Sequence, residues 1–252
     1  ETNIEKVAAL CQISDVHKTR VTPLHENTKL YKKGEEPASL RPIDFQPNFE
    51  YARVLGGILY IANTTRPDLI TPVSRLSRYV ADPSAHHHKY LQEVIIHAYQ
   101  TKDRALRFTQ MPESQDPFRL YAATDASFAD CEDTKRSTLG RCLWLGKREN
   151  MTSDHFSGLI DWASHSPKTV ATSTTEAETQ GALECTKDIM YTRALLADLG
   201  YKQNGSTRMY VDNNATMTQI QAVAGIKRAR HYVVALRKLQ EAYFLGEMHA
   251  CR

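Results

Sequence analysis

Three acidic residues stand at positions where a predicted sheet and helix could bring their side chains together. Asp125 lies within a predicted strand, in the segment Tyr-Ala-Ala-Thr-Asp-Ala-Ser-Phe. Glu178 lies in the first turn of a predicted long helix, and Asp212 ends a later predicted strand. A carboxylate in a strand flanked by apolar residues needs a partner. A cation shared by all three side chains would supply that partner.

Two of these residues also have a purely structural interpretation. Glu178 follows Thr175 by three residues, which is the spacing of a capping box. Asp212 could be the N-cap of the helix that follows it. Both interpretations stay open for Glu178 and Asp212, whereas Asp125 is the residue hardest to explain by structure alone.

The elements that must position these residues fall into two regions. The first is helical, and apolar spacing predicts helices at 4–10, from 51, after Pro67 and at 88–101. Pro72 predicts that the helix after Pro67 is kinked or begins late. In the second region, strands are expected at 119–128, 137–145, 159–163 continued by 169–172, 207–211 and from 247. Helices are expected at 176–199, from 213 and at 230–245, which together predict an α/β domain with a mixed sheet.

Composition indicates an ordinary globular protein and narrows the kinds of site. The hydrophobic fraction is 41% and the charged fraction 24%, and no apolar run approaches the ~20 residues of a membrane span. The net charge of +3 is too small to indicate nucleic-acid binding by itself. The five scattered cysteines predict free thiols in a reducing compartment. His86, His87 and His88 are adjacent and so point in different directions on a helix, which disfavours a metal site.

Several short segments occur in an order that is more specific than any one of them. In the second half they are Thr-Asp-Ala-Ser-Phe-Ala-Asp (124–130), Lys-Arg-Ser-Thr-Leu-Gly (135–140), Asp-Trp-Ala-Ser (161–164), Val-Ala-Thr-Ser-Thr-Thr-Glu-Ala-Glu (170–178) and Val-Asp-Asn (211–213). This half resembles the ribonuclease H domain of copia-type retrotransposon polyproteins. Segments 55–69 and 73–79 resemble the thumb-to-connection stretch that precedes that domain.

The resemblance implies a fold and a division of the chain. The fold would be α/β, with a ribonuclease H-like mixed five-stranded sheet, flanking helices, and a last strand and final helix cut short. A small, mostly helical subdomain would precede it. The expected parts are an extended or thumb-like segment with a linker at 1–50, a helical connection-like subdomain at 51–112, and the ribonuclease H-like domain at 117–252. The start at Glu1 predicts a cut or processed N-terminus.

The resemblance also implies the chemistry of the acidic residues. Asp125, Glu178 and Asp212 would be the catalytic metal ligands, with Asp125 bridging two Mg²⁺ ions ~4 Å apart and Mn²⁺ as an alternative ion. Glu176 is the alternative glutamate, although one helical residue rotates it about 100° from the next position. The expected reaction is cleavage of the RNA strand of an RNA–DNA hybrid.

The expected partners are the hybrid and the rest of the Pol polyprotein, with no membrane. The candidate nucleic-acid ligands are the basic residues Lys227, Arg228, Arg230 and His231, which would contact phosphates and are otherwise a solvated loop. Lys135 and Arg136 are weaker candidates. Trp144 and Trp162 are expected in the core, not as platforms for bases. The expected location is intracellular, in a cytoplasmic particle or the nucleus.

Two departures from the family pattern leave a second hypothesis open. Such enzymes use a fourth acidic residue on a helix beyond the last strand, and this chain stops at Arg252. The polymerase signature Tyr-x-Asp-Asp is absent, and Val233 stands where family members often have aspartate. The alternative is therefore a catalytically inactive retroelement remnant that keeps the fold and at most binds nucleic acid.

Overall fold

The chain divides into two compact units. The computed structural model describes residues 2–13, 20–25, 27–40, 43–108, 119–146, 158–222 and 232–252. Unit 1 comprises Glu1–Ala105 together with Cys131–Lys135, and unit 2 comprises Leu106–Asp130 and Arg136–Arg252.

Unit 1 is helical, as the sequence predicts. Its helices are α1 (Asn3–Leu10), α2 (Tyr51–Thr64), a 3₁₀ turn (Pro67–Leu69), α3 (Ile70–Ser77) and α4 (Ala85–Gln100). Helix α1 packs against α2 and α4, so the start of the chain shares a unit with the helices that the sequence places in a separate subdomain. Helix α3 begins late and carries Pro72 in its first turn, where a missing N–H costs no helical hydrogen bond.

The segment Thr-Arg-Pro-Asp (65–68) of unit 1 contains a buried arginine that is paired with the aspartate of the same segment. Arg66 is 2% exposed, and its Nε and Nη2 donate to the two carboxylate oxygens of Asp68 at 2.8 and 2.7 Å. Its Nη1 donates to the carbonyl of Thr101 at 3.1 Å. Burial opposes the ionisation of Asp68, but Arg66 and His97 together outweigh it and hold the pKa of Asp68 below its usual value. The pair ties the end of α2 to the end of α4.

Two of the three adjacent histidines, His87 and His88, make contacts that stabilise the start of α4. Ser84 is the N-cap, and Nδ1 of His87 accepts a hydrogen bond from its backbone N–H at 2.9 Å. The His87 ring stacks on Tyr79 with centroids 4.1 Å apart. Burial lowers the pKa of His87 to about 4, so its ring is neutral at pH 7. His88 contacts the backbone carbonyl of Ser84 through Nδ1.

Unit 2 is built on a mixed five-stranded sheet. Its strands are β1 (Arg119–Ser127), β2 (Thr138–Gly146), β3 (Leu159–His165), β4 (Thr207–Val211) and β5 (Met248–Cys251). The strand order is β3-β2-β1-β4-β5; β2 is antiparallel to β1 and β3, and β4 is parallel to β1 and β5. The flanking helices are α5 (Thr174–Asp198), α6 (Asn214–Gln221) and α7 (Val233–Phe244). The predicted fold class, an α/β fold with a mixed five-stranded sheet, is confirmed.

The predicted continuation of the third strand over 169–172 is wrong. Strand β3 ends at His165, and the segment after it leads into α5 without strand pairing. The threonines and valine in this segment favour strands by propensity. Thr172 and Ser173 instead make the hydrogen bonds that start α5.

The core of unit 2 lies between the sheet and α5. Leu120 and Ala122 of β1 and Leu143 of β2 cluster with Ala182 and Ile189 of α5. Three aromatic rings from neighbouring strands stack on one another. The ring centroid of Trp144 on β2 lies 6.0 Å from that of Tyr121 on β1 and 6.1 Å from that of Tyr210 on β4. Trp144 is buried, as predicted, whereas Trp162 is half-buried. All five cysteines are free thiols, as predicted.

Gly158 is the residue immediately before β3, and we expect Gly158→Ala to destabilise unit 2 by about 2–4 kcal/mol. Its φ is +86°, and an added Cβ would lie 2.2 Å from the carbonyl oxygen of Leu145. Gly200 is the matched control, since its φ is +88° and an added Cβ would meet nothing within 4 Å. Gly200→Ala should cost only about 1 kcal/mol. Urea unfolding measures the free energy of unfolding of both variants. Equal losses of stability in the two variants would contradict the steric role assigned to Gly158.

Candidate active site

Asp125 and Asp212 are neighbours at one end of the sheet. Strands β1 and β4 are parallel, and Thr124 pairs with Val211. Asp125 and Asp212 each lie one residue beyond this pair, on strands about 4.8 Å apart. Both residues are exposed. The expectation that Asp125 is enclosed by apolar neighbours and needs a partner is therefore wrong.

Glu178 is the buried carboxylate of the trio. It is 7% exposed on α5, and it accepts a hydrogen bond from the backbone N–H of Ala126, the residue after Asp125. Among the described residues, its Oε2 atom is buried without a hydrogen-bond partner. The carboxylate that requires a partner is therefore Glu178, and not Asp125 as the sequence suggested.

Gly181 brings α5 close enough to β1 for this contact. An added Cβ at Gly181 would lie 3.0 Å from the Thr124 hydroxyl and 3.9 Å from the carbonyl oxygen of Asp125. Glu178 is three residues earlier in the helix, so it faces the same side. Sequence reasoning missed Gly181, although an isolated glycine inside a long helical pattern often has a packing reason.

The three carboxylates act on one another electrostatically. Burial, followed by the charges of Asp125 and Asp212, raises the pKa of Glu178 to about 7, although the hydrogen bond from the Ala126 N–H acts in the opposite direction. Such effects are strong only between groups within a few ångströms to a nanometre. The fold therefore brings the three residues predicted from the sequence to a common place.

The capping role expected for Glu178 belongs to Glu176. Ser173 is the N-cap of α5, and its hydroxyl accepts from the Glu176 N–H at 3.1 Å. The Glu176 carboxylate accepts from the backbone N–H and the hydroxyl of Thr172 at 2.8 and 2.7 Å. Glu176 is thus committed to the helix start, whereas Glu178 faces the two aspartates.

Asp212 does not cap the next helix. The N-cap of α6 is Asn213, whose Oδ1 accepts from the N–H of Thr216 at 3.0 Å. The structural interpretation of Asp212 is therefore wrong, and its carboxylate lies exposed beside Asp125.

The three carboxylates supply the oxygen ligands that Mg²⁺ prefers, but their oxygen atoms do not converge on a common metal position. In the ranges that the structure describes, no three His, Cys, Asp or Glu side chains lie close enough to hold a metal ion. Like charges repel, and the exposed side chains of Asp125 and Asp212 can rotate. The fit is supported by three hard oxygen donors and by the unpartnered Oε2 of Glu178. The metal-ligand roles stay a prediction.

The predicted nucleic-acid ligands Lys227, Arg228, Arg230 and His231 lie outside the described residues. The weaker candidate Lys135 forms an ion pair with Glu132 at 2.9 Å. In the portion of the chain that the structure covers, no helix is both long and apolar enough to cross a membrane.

Comparison with known proteins finds transposon polyproteins. The chain is 30% identical over 164 residues to the retrovirus-related Pol polyprotein from transposon RE2 of Arabidopsis thaliana, covering 65% of this chain and 10% of that protein. It is 27% identical over 220 residues to the corresponding polyprotein from transposon TNT 1-94 of Nicotiana tabacum, covering 87% of this chain and 15% of that one. The chain thus spans 10–15% of the length of these polyproteins.

A shorter relative and a solved structure complete the comparison. Secreted RxLR effector protein 161 of Plasmopara viticola is 30% identical over 144 residues, which cover 57% of this chain and 92% of that protein. The N-terminal RNase H domain of rv2228c from Mycobacterium tuberculosis is 10% identical with a TM-score of 0.37, covering 54% of this chain and 81% of that chain. No protein family model matches. The chain is thus similar to retrovirus-related Pol polyproteins from transposons over 65–87% of its length, which is consistent with a fragment of a copia-type Pol polyprotein.

Proposed function

We propose that this chain carries a ribonuclease H-type endonuclease that cleaves the RNA strand of RNA–DNA hybrids as part of a retrotransposon Pol polyprotein. The observation that carries the proposal is the position of Glu178. Its buried carboxylate has an unpartnered oxygen and lies in the field of Asp125 and Asp212. Without a bound cation, this arrangement disfavours the state in which all three carboxylates are ionised. Carboxylates whose pKa values are perturbed in this way are typical of functional sites.

Asp125, Glu178 and Asp212 would hold two Mg²⁺ ions, or Mn²⁺ in their place. When bound, the metal would supply an activated water and neutralise the leaving oxygen of the phosphodiester. The chain's own contribution is positioning. Glu178 is fixed by the Ala126 N–H and by the close packing of α5 at Gly181. The two aspartates come from neighbouring strands of one sheet, so the backbone sets their separation.

The exposure of the site favours a duplex backbone as substrate. Asp125 and Asp212 are exposed at a sheet end, where a phosphodiester of an intact duplex can approach. Chemistry on a base would instead require a pocket that encloses a flipped nucleotide. Discrimination of the RNA strand would come from contacts to its 2′-hydroxyls and from the shape of the groove. The basic residues at 227–231 would contribute phosphate contacts without sequence preference.

A cleavage assay with matched duplexes tests the proposal. The full chain is incubated with an RNA–DNA hybrid, an RNA duplex and a DNA duplex of one sequence, each with Mg²⁺, Mn²⁺ or EDTA. We expect cleavage of the RNA strand in the hybrid alone, and only with a divalent ion. Binding of the hybrid without cleavage in either metal would support the inactive remnant and contradict the enzyme.

A further inference from the structure

An exposed aromatic ring follows directly on the strand that carries Asp125. Phe128 is the first residue after β1, and it is 39% exposed. Single exposed apolar side chains are common on protein surfaces, so it is the position of Phe128 close to Asp125 that distinguishes it. The ring is three residues from Asp125, which is about 10 Å along an extended chain.

The turn that presents Phe128 is held by polar contacts around it. Ala129 has a φ of +51°, a left-handed conformation that is unfavourable for a residue with a Cβ. Its N–H donates to the hydroxyl of Ser137 at 3.2 Å, and Ser137 is fully buried. The Thr138 hydroxyl lies 2.7–2.8 Å from the two carboxylate oxygens of Asp130. These contacts fix the backbone on the far side of Phe128 without using its ring.

Strained backbone that the surroundings hold in place is found at ligand sites. Here the left-handed conformation of Ala129 directly follows the exposed ring of Phe128. We propose that Phe128 is a substrate-positioning residue whose ring packs against a sugar of the nucleic acid, one or two nucleotides from the phosphate at Asp125. The inference rests on the proposed nuclease function and adds a contact to the same site.

The chemistry of the contact sets its properties. In a duplex the bases stack on one another, so a ring outside the helix meets sugars and groove edges first. An aromatic ring packs on the C–H face of any sugar, so the contact would give affinity and register without sequence preference. Because the ring carries no charge, its contribution should not depend on salt, unlike that of the basic residues.

Steady-state cleavage of the hybrid by Phe128→Ala tests this contact. We expect KM to rise about tenfold and kcat to stay within about twofold, since the partial burial of an aromatic ring against a sugar has an effect of about this size. Phe128→Trp should restore KM. The matched control is Phe244→Ala, which removes the same exposed ring from the end of α7. The control should leave KM unchanged.

Two further measurements separate the possible failures. The urea midpoint of Phe128→Ala should equal that of the wild type. A large loss of stability accompanied by equal changes in kcat and KM would show that Phe128 has a structural role and would overturn the proposal. An unchanged KM in a protein that still cleaves the hybrid would overturn the Phe128 contact and leave the nuclease intact. If the wild type binds the hybrid without cleaving it, the dissociation constant in EDTA replaces KM as the readout. A wild type that neither binds nor cleaves overturns both proposals.

Discussion

Asp125→Asn should lower the rate of hybrid cleavage by at least about 1,000-fold, because a divalent ion held by this carboxylate is worth several kcal/mol of transition-state stabilisation. Asparagine keeps the size of the side chain and removes its charge. Asp125 is exposed at the end of β1, so stability should change by less than about 0.5 kcal/mol. Single-turnover cleavage at saturating Mg²⁺ measures the loss, and thermal unfolding checks the fold.

The matched control for Asp125 is Asp161→Asn in the same sheet. Asp161 lies on β3 and forms an ion pair with Arg141 at 3.8 Å. Its replacement removes the same charge from unit 2, and it should leave the cleavage rate within about twofold because exposed ion pairs contribute little. Retention of more than about a tenth of the activity by Asp125→Asn would contradict the role of Asp125.

Glu178→Gln should abolish cleavage and at the same time stabilise the metal-free protein. The pKa of Glu178 is about 7 in the folded chain against 4.5 in the reference state. Between these values the folded state binds more protons than the unfolded state, so stability falls as pH rises. Above pH 7 the full cost of the ionised group is present. Glutamine removes that cost, which is on the order of 1–2 kcal/mol after allowance for solvent screening.

Urea unfolding in EDTA at pH 4 and pH 8 measures this effect. At pH 4 the Glu178 carboxyl is mostly neutral in both states, so the variant and the wild type should differ little in their free energy of unfolding. At pH 8 the variant should be the more stable protein. A variant less stable than the wild type at pH 8 would contradict the electrostatic account of Glu178.

Glu176→Gln is the control two residues earlier on the same helix. The Glu176 carboxylate accepts two hydrogen bonds from Thr172, and a glutamine oxygen can accept them with a weaker interaction. We expect a loss of about 0.5–1 kcal/mol in stability and full retention of cleavage. The reverse pattern, in which Glu176→Gln is inactive and Glu178→Gln is active, would assign the catalytic role to the alternative glutamate.

Much of the fold follows from local patterns in the sequence. Strand β4 matches its predicted bounds because Gly205 precedes the apolar alternation and Asp212 ends it. Helix α5 matches within two residues at its N-terminus because Ser173 caps it, and Gly200 follows its end. The strand predicted at 169–172 does not form, although its β-branched residues favour strands, because the end of this segment makes the hydrogen bonds that start α5.

The sequence predicts which residues form the candidate site, but it does not predict which of their side chains is buried. The order of the motifs predicts Asp125, Glu178 and Asp212 as members of the candidate site, and their roles as metal ligands stay a prediction. Which carboxylate is enclosed depends on how closely α5 approaches β1, and no local pattern encodes that distance. The approach depends on Gly181 meeting Thr124, a contact between residues far apart in the chain. The choice between Glu176 and Glu178 likewise required the hydrogen bonds of the helix start.

Anomalous diffraction from crystals of the full chain soaked in Mn²⁺ tests most directly whether these carboxylates form a metal site. We expect manganese at the end of β1 and β4, with oxygens of Asp125, Glu178 and Asp212 rotated onto it. Manganese bound only elsewhere at a concentration that saturates catalysis, with these three side chains still apart, would contradict the account.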